Sequence, residues 1–106
     1  MEQDPSVGCQ TMTRMNLPDF ENFSRDAQAR GFEEVLERVW APDTVLDEHT
    51  HPFSVEAIVV QGQMWLTVAG LTRSLERGDR FQLDRDVPHS ERYGAEGATY
   101  WVARRN

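Results

Sequence analysis

Three histidines occur in the 106 residues, at positions 49, 51 and 89. One residue separates His49 from His51. In a β-strand, where side chains alternate between faces and the rise is about 3.3 Å per residue, that spacing sends both imidazoles out of one face with Cα atoms about 6.5 Å apart. Two rings so placed can converge on one ion at about 2.0–2.1 Å each. Histidine pairs are also common on surfaces, so the pair gains meaning from what surrounds it: Glu56, Gly62, Gly78-Asp79 and Pro88-His89 follow in order. Neutral imidazoles leave the charge of a divalent ion uncompensated, which makes nearby carboxylates relevant. Glu91, two residues after His89 on the same strand face, is one such group; it either assists the site or is a solvated acid. The signatures of other chemistries are missing: there is no Gly-x-Ser-x-Gly, no phosphate-cradling Gly-x4-Gly-Lys-Ser/Thr, no Gly-x-Gly-x-x-Gly and no paired-cysteine motif. A Ser-His-Asp arrangement would leave the His-x-His spacing unexplained.

Positioning these residues falls mainly to strands. Residues 1–16 show neither a period of 2 nor one of 3.6 and read as a flexible tail, with the single Cys9 inside it. One short helix is expected from Pro18 to Arg30. Pro18 suits a first turn, Asp19 and Glu21 complement the positive helix start, and Gly31 closes the end. Phe20, Phe23 and Ala27 form its apolar stripe. Beyond Gly31, short runs rich in Val, Leu, Phe, Trp and Thr recur between Gly, Pro and Asp. They cover Phe32–Trp40, Thr44–His51, Val55–Val60, Met64–Ala69, Leu71–Leu75, Arg80–Leu83, His89–Tyr93 and Ala98–Ala103. Eight short strands at this spacing indicate an all-β sandwich or barrel, a single domain over residues 17–106.

One hairpin decides where Glu56 points. With Gln61-Gly62 as a two-residue turn, Val55, Ala57 and Val59 share the interior with Met64, Leu66 and Val68, and Glu56 faces outward. With Gln61-Gly62-Gln63 as a bulged three-residue turn, Glu56, Ile58 and Val60 turn inward. The tight turn is the preferred reading because it uses the glycine. Phe81 and Leu83 alternate with Arg80 and Gln82 and belong to the core. Of Trp40, Trp65 and Trp101, at least one is expected on an outer strand face, suited to a dimer interface or to burial under the helix.

Eighteen acids against eleven bases give a formal charge of −7. That balance argues against nucleic acid, whose phosphates require clustered Arg and Lys. The longest apolar runs, Ala57–Val60 and Tyr100–Ala103, are four residues each, against the ~20 of a membrane span. No basic-then-apolar leader opens the chain, so a cytoplasmic location is expected.

Taken in order, these residues resemble the two motifs of the cupin superfamily, Gly-x5-His-x-His-x3–4-Glu-x6-Gly and Gly-x5-Pro-x-Gly-x2-His-x3-Asn. Residues 43–91 carry the likeness. Gly31-Phe32-Glu33-Glu34-Val35 and His89-Ser90-Glu91-Arg92-Tyr93-Gly94 are similar to segments of small stand-alone members. The chain departs from the motifs at Asp43 and Asp86, which stand for glycines, at Asp84 for the proline and at Tyr93 for the asparagine. Counting forward from His51 reaches Glu56, whereas counting back from Gly62 reaches Val55. The resemblance implies a double-stranded β-helix, a jelly-roll barrel, with one divalent metal ion (Fe, Zn, Ni or Mn) in its mouth and His49, His51 and His89 as ligands. It also implies a homodimer. A small organic substrate and a dioxygenase or isomerase reaction would follow; the alternative is a non-catalytic binding or sensing module without an essential metal.

Overall fold

The computed structural model describes residues 18–106; the expected tail and Cys9 lie outside them. Among the described residues no helix is long and apolar enough to cross a membrane. The one helix, α1, spans Phe20–Ala29. Pro18 precedes it rather than opening it, because the Asp19 side chain accepts the Asn22 amide at 2.7 Å and so caps the helix itself. At the other end Gly31 adopts φ +95°. The Phe32 amide reaches back to the Ala27 carbonyl and the Gly31 amide to that of Gln28, the paired bonds of a Schellman ending. Phe32 is thereby drawn out of strand pairing and into the layer beneath the helix.

Six strands follow: β1 (Glu34–Trp40), β2 (Val45–His49), β3 (Ser54–Val68), β4 (Leu71–Glu76), β5 (Arg80–Leu83) and β6 (His89–Arg105). All pairings are antiparallel. The spine is β3 against β6, in register from Ser54↔Arg105 to Val68↔His89. One half of this spine is flanked by β1 on β6 and β5 on β3; the other half is flanked by β2 on β6 and β4 on β3. The halves close on each other over a shared core holding Val55, Ala57, Val59, Phe81 and Tyr100 from one side and Met64, Leu66, Leu75 and Tyr93 from the other. Trp40 stacks on Tyr93 across it at 5.2 Å.

The expected hairpin at residues 61–63 is absent. Strand β3 runs straight through, and the two strands expected at 89–93 and 98–103 are likewise one strand, so eight become six. The register explains why glycine stands here without a turn. Val59 opposes Tyr100 but Gln61 opposes Thr99, which leaves Val60 as an extra residue; Gly62 opposes Ala98 but Met64 opposes Tyr93, which sets the four residues 94–97 of β6 against Gln63 alone. The spine bends at these bulges. Gly62, at φ +81°, passes so close to β6 that a Cβ would lie 2.2 Å from the Gly97 carbonyl oxygen. Because the bulge reverses the alternation, Val55, Ala57 and Val59 do share the interior with Met64 and Leu66, as the tight-turn reading requires.

Outward-facing Ile58 and Val60 pack with Phe23, Ala27, Phe32, Ala103 and Trp101 in a second core under α1. Trp101 meets Phe20 edge-on at 5.5 Å, so the helix covers this tryptophan. Asp43 (φ +58°) and Asp86 (φ +64°) occupy left-handed backbone at the two places where the cupin motifs carry glycine. Aspartate tolerates that conformation better than most residues, which is how the turns survive the substitutions.

Candidate metal centre

Strand pairing assembles the site. His89 is the first residue of β6 and stands opposite His49, the last of β2. The β2 register slips on the way: Leu46 opposes Glu91, yet three residues later His49 opposes His89, two residues along β6. Without that extra residue, Glu48 would take the inward position. The bulge re-aims the strand so that His49 points inward, and His51 follows two residues on. The ligating atoms of His49, His51 and His89 all lie within 4.8 Å of one another.

Two of the three rings are held in a defined tautomer. His49 Nδ1 donates to the Asp47 carbonyl at 2.7 Å and His89 Nδ1 to the Val87 carbonyl at 2.9 Å. Each Nδ1 thus carries a proton, and each Nε2 is the nitrogen turned toward the centre. His51 is oriented by stacking on Phe53, centroids 5.0 Å apart and planes 10° apart, and the Arg104 guanidinium sits 4.8 Å from the same phenyl ring. Burial, followed by the positive charge that His89 and His49 can carry, lowers the His51 pKa below its usual value and favours the neutral, ligating form.

His89 is 2% exposed, and its Nε2 has no hydrogen-bond partner. A buried polar atom left so costs roughly 1–3 kcal/mol. A metal ion is a partner that three converging imidazoles can share, so the residues present fit such an ion. Beside them lies Glu91, 8% exposed. Its Oε2 is 3.4 Å from His89 Nε2 and 3.7 Å from His49 Nε2, and its Oε1 accepts the Tyr93 hydroxyl. Burial, above all, raises the pKa of both Tyr93 and Tyr100, so each phenol stays protonated.

Glu56 lies outside the cluster. Its Oε1 receives Arg30 Nη1 at 2.9 Å on the helix side of β3. Leu66 and Val68, register partners of Glu91 and His89, line a cavity of about 460 Å³ together with Leu71, Leu83, Val87 and Arg73. The roles of Phe53 and Tyr93 were not read from the sequence. Tyr93 could have been found from its two-residue spacing to Glu91, which puts both on one strand face.

No family model matches the chain, and no curated protein sequence matches it. Solved structures do. An RmlC-like cupin from Shewanella frigidimarina NCIMB 400 superposes with a TM-score of 0.59 at 21% identity, covering 68% of this chain and 65% of its own. The Bacillus subtilis oxalate decarboxylase OxdC gives 0.62 at 19% over 68% of this chain and 20% of its own; that enzyme has Mn(II) centres. The DMSP lyase DddQ from Ruegeria pomeroyi DSS-3 gives 0.59 at 20% over 68% of this chain and 36% of its own. The chain therefore spans less than two thirds of each of these proteins.

Proposed function

We propose, for a chain that has the cupin fold, a metal-dependent enzyme that holds one divalent ion through His49, His51 and His89 and acts on a small organic molecule at the positions the three imidazoles leave open. The observation that carries this reading is the convergence of three imidazoles, two of them with Nδ1 committed to backbone carbonyls and one with a buried, unpartnered Nε2. Three protein ligands leave coordination positions open, as catalytic rather than structural sites do. Iron would supply chemistry with dioxygen, and zinc, nickel or manganese a Lewis acid for a substrate oxygen. The chain's own contribution is orientation: the Asp47 and Val87 carbonyls fix two rings and Phe53 fixes the third. Oxalate decarboxylase and DMSP lyase, each named for a small-molecule reaction, lend support to a small organic substrate.

Elemental analysis and thermal unfolding test the metal. One equivalent should bind, and at about a hundred times its Kd it should stabilise the fold by about 2.7 kcal/mol, a Tm rise of about 10–20 °C. The His49→Ala, His51→Ala double variant should lose both the ion and the rise. Stoichiometric metal retained by that variant would overturn the assignment.

A further inference from the structure

Three neutral imidazoles give a divalent ion no charge compensation, and the acid that follows His-x-His in this chain is engaged elsewhere, Glu56 being paired with Arg30. We propose that Glu91 takes the position of anionic fourth ligand, with Tyr93 as the residue that positions it. This assignment rests on the metal reading above and adds to it the one charged donor.

Four observations converge. Glu91 lies two residues from His89 on the inward face of β6, opposite Leu46 and Leu66. Its Oε2 stands 3.4 and 3.7 Å from two Nε2 atoms whose rings carry their protons on Nδ1. Three donor atoms thus face one another across a few ångströms, a spacing that one shared cation would join. Donors sharing one ion at about 2.1 Å stand about 3.0 Å apart at right angles and about 3.4 Å apart at the tetrahedral angle, close to the spacing found. A plain ion pair with His89 is a poorer account, because His89 Nε2 makes no hydrogen bond to the carboxylate despite their proximity. Finally, Oε1 is occupied by the Tyr93 hydroxyl, which leaves Oε2 as the free oxygen and fixes its direction. Tyr93 is 1% exposed and stacked on Trp40, so it cannot swing away without opening the core. Three nitrogens and one carboxylate oxygen suit a six-coordinate ion of intermediate hardness such as manganese(II) or iron(II), with two positions left for substrate.

Cobalt(II) is the probe, titrated into the purified full chain against a competing chelator while its visible absorption is recorded. Glu91→Gln, close in shape, should weaken cobalt binding at least 100-fold and alter the absorption bands. Tyr93→Phe should weaken it about 10-fold, as loss of an orienting partner does, and Glu56→Gln should leave affinity within twofold. Glu91→Asp, which keeps the charge but withdraws the oxygen by one methylene, supplies a second variant and should also weaken binding more than 10-fold. Far-UV circular dichroism confirms that each variant is folded. Wild-type affinity and spectrum in both Glu91 variants would overturn the role of Glu91 alone. Absence of cobalt uptake by the unaltered chain would instead overturn the three-histidine reading, and this assignment with it.

Discussion

Replacing Gly62 by alanine should cost far more than the same change at Gly70, although both glycines have nearly the same backbone, φ +81° and +79°. Placing a Cβ in left-handed backbone costs about 1–2 kcal/mol at either site. At Gly70 nothing lies within 4 Å of the added methyl, so that term stands alone. At Gly62 the methyl would meet the Gly97 oxygen at 2.2 Å, the Ala98 Cα at 2.8 Å and the Gly97 carbonyl carbon at 2.9 Å. All three are backbone atoms, which no rotamer change can clear, so the two spine strands must part by about an ångström at their bend. Forcing extra volume into a packed site typically costs a further 1–3 kcal/mol. The expected losses are therefore about 2–5 kcal/mol for Gly62→Ala and about 1–2 for Gly70→Ala. Urea unfolding followed by circular dichroism measures both, with the slope m checked for constancy. A loss at Gly62 no greater than at Gly70 would refute the close strand crossing and revive the turn expected from the sequence.

Tyr93 and Tyr100 are the only tyrosines, and burial raises both phenol pKa values above the usual value near 10. The folded chain holds them protonated where the unfolded chain ionises them, so their contribution to stability is intact below about pH 10 and is lost as pH rises beyond it. Tyrosinate absorbance near 295 nm should appear together with loss of the circular dichroism signal; two phenols titrating near pH 10 in a folded chain would contradict their burial. Asp19→Ala removes the cap of α1 and should lower unfolding free energy by about 0.5–2 kcal/mol without changing metal affinity, since α1 packs against the opposite side of β3 from the histidines. A change in affinity exceeding threefold would show coupling that the packing does not provide.

The histidine cluster was legible because its members have local signatures: a two-residue spacing, a proline-histidine after a Gly-Asp turn, and no other histidine to compete; the strand expected to carry both His49 and His51 ends at His49, because the chain leaves the ladder before Pro52. The interior faces were legible for the same reason, since Phe81 and Leu83 or Val55, Ala57 and Val59 alternate within one strand. What could not be read depends on the partner across the ladder. A glycine between two apolar runs looks the same whether the chain turns there or another strand passes close by, and only Gly97, far along the sequence, distinguishes the two at Gly62. The outward direction of Glu56 came out right although the turn invoked for it does not exist. The slip between Leu46 and His49 is similarly invisible, because it consists of an extra residue relative to β6 and has no mark in β2 itself. Asp43 and Asp86 look like departures from a glycine pattern until their positive φ shows that the conformation is kept while the residue changes.

Strand β2 is bound to the rest of the ladder only through β6, and its register is interrupted one turn of chain before the histidines. It is thus the segment with least cooperative support, the first to exchange its amide hydrogens through local opening while the β3–β6 spine remains closed. His89 belongs to the spine, His49 ends this peripheral strand and His51 lies in the loop just beyond it. An ion shared among them would act as a clasp between two foldons, slowing exchange in β2 to the rate of the spine. Occupancy of the site would then be written into the protection of a whole strand, and the apo and loaded chains would differ in dynamics far more than in shape.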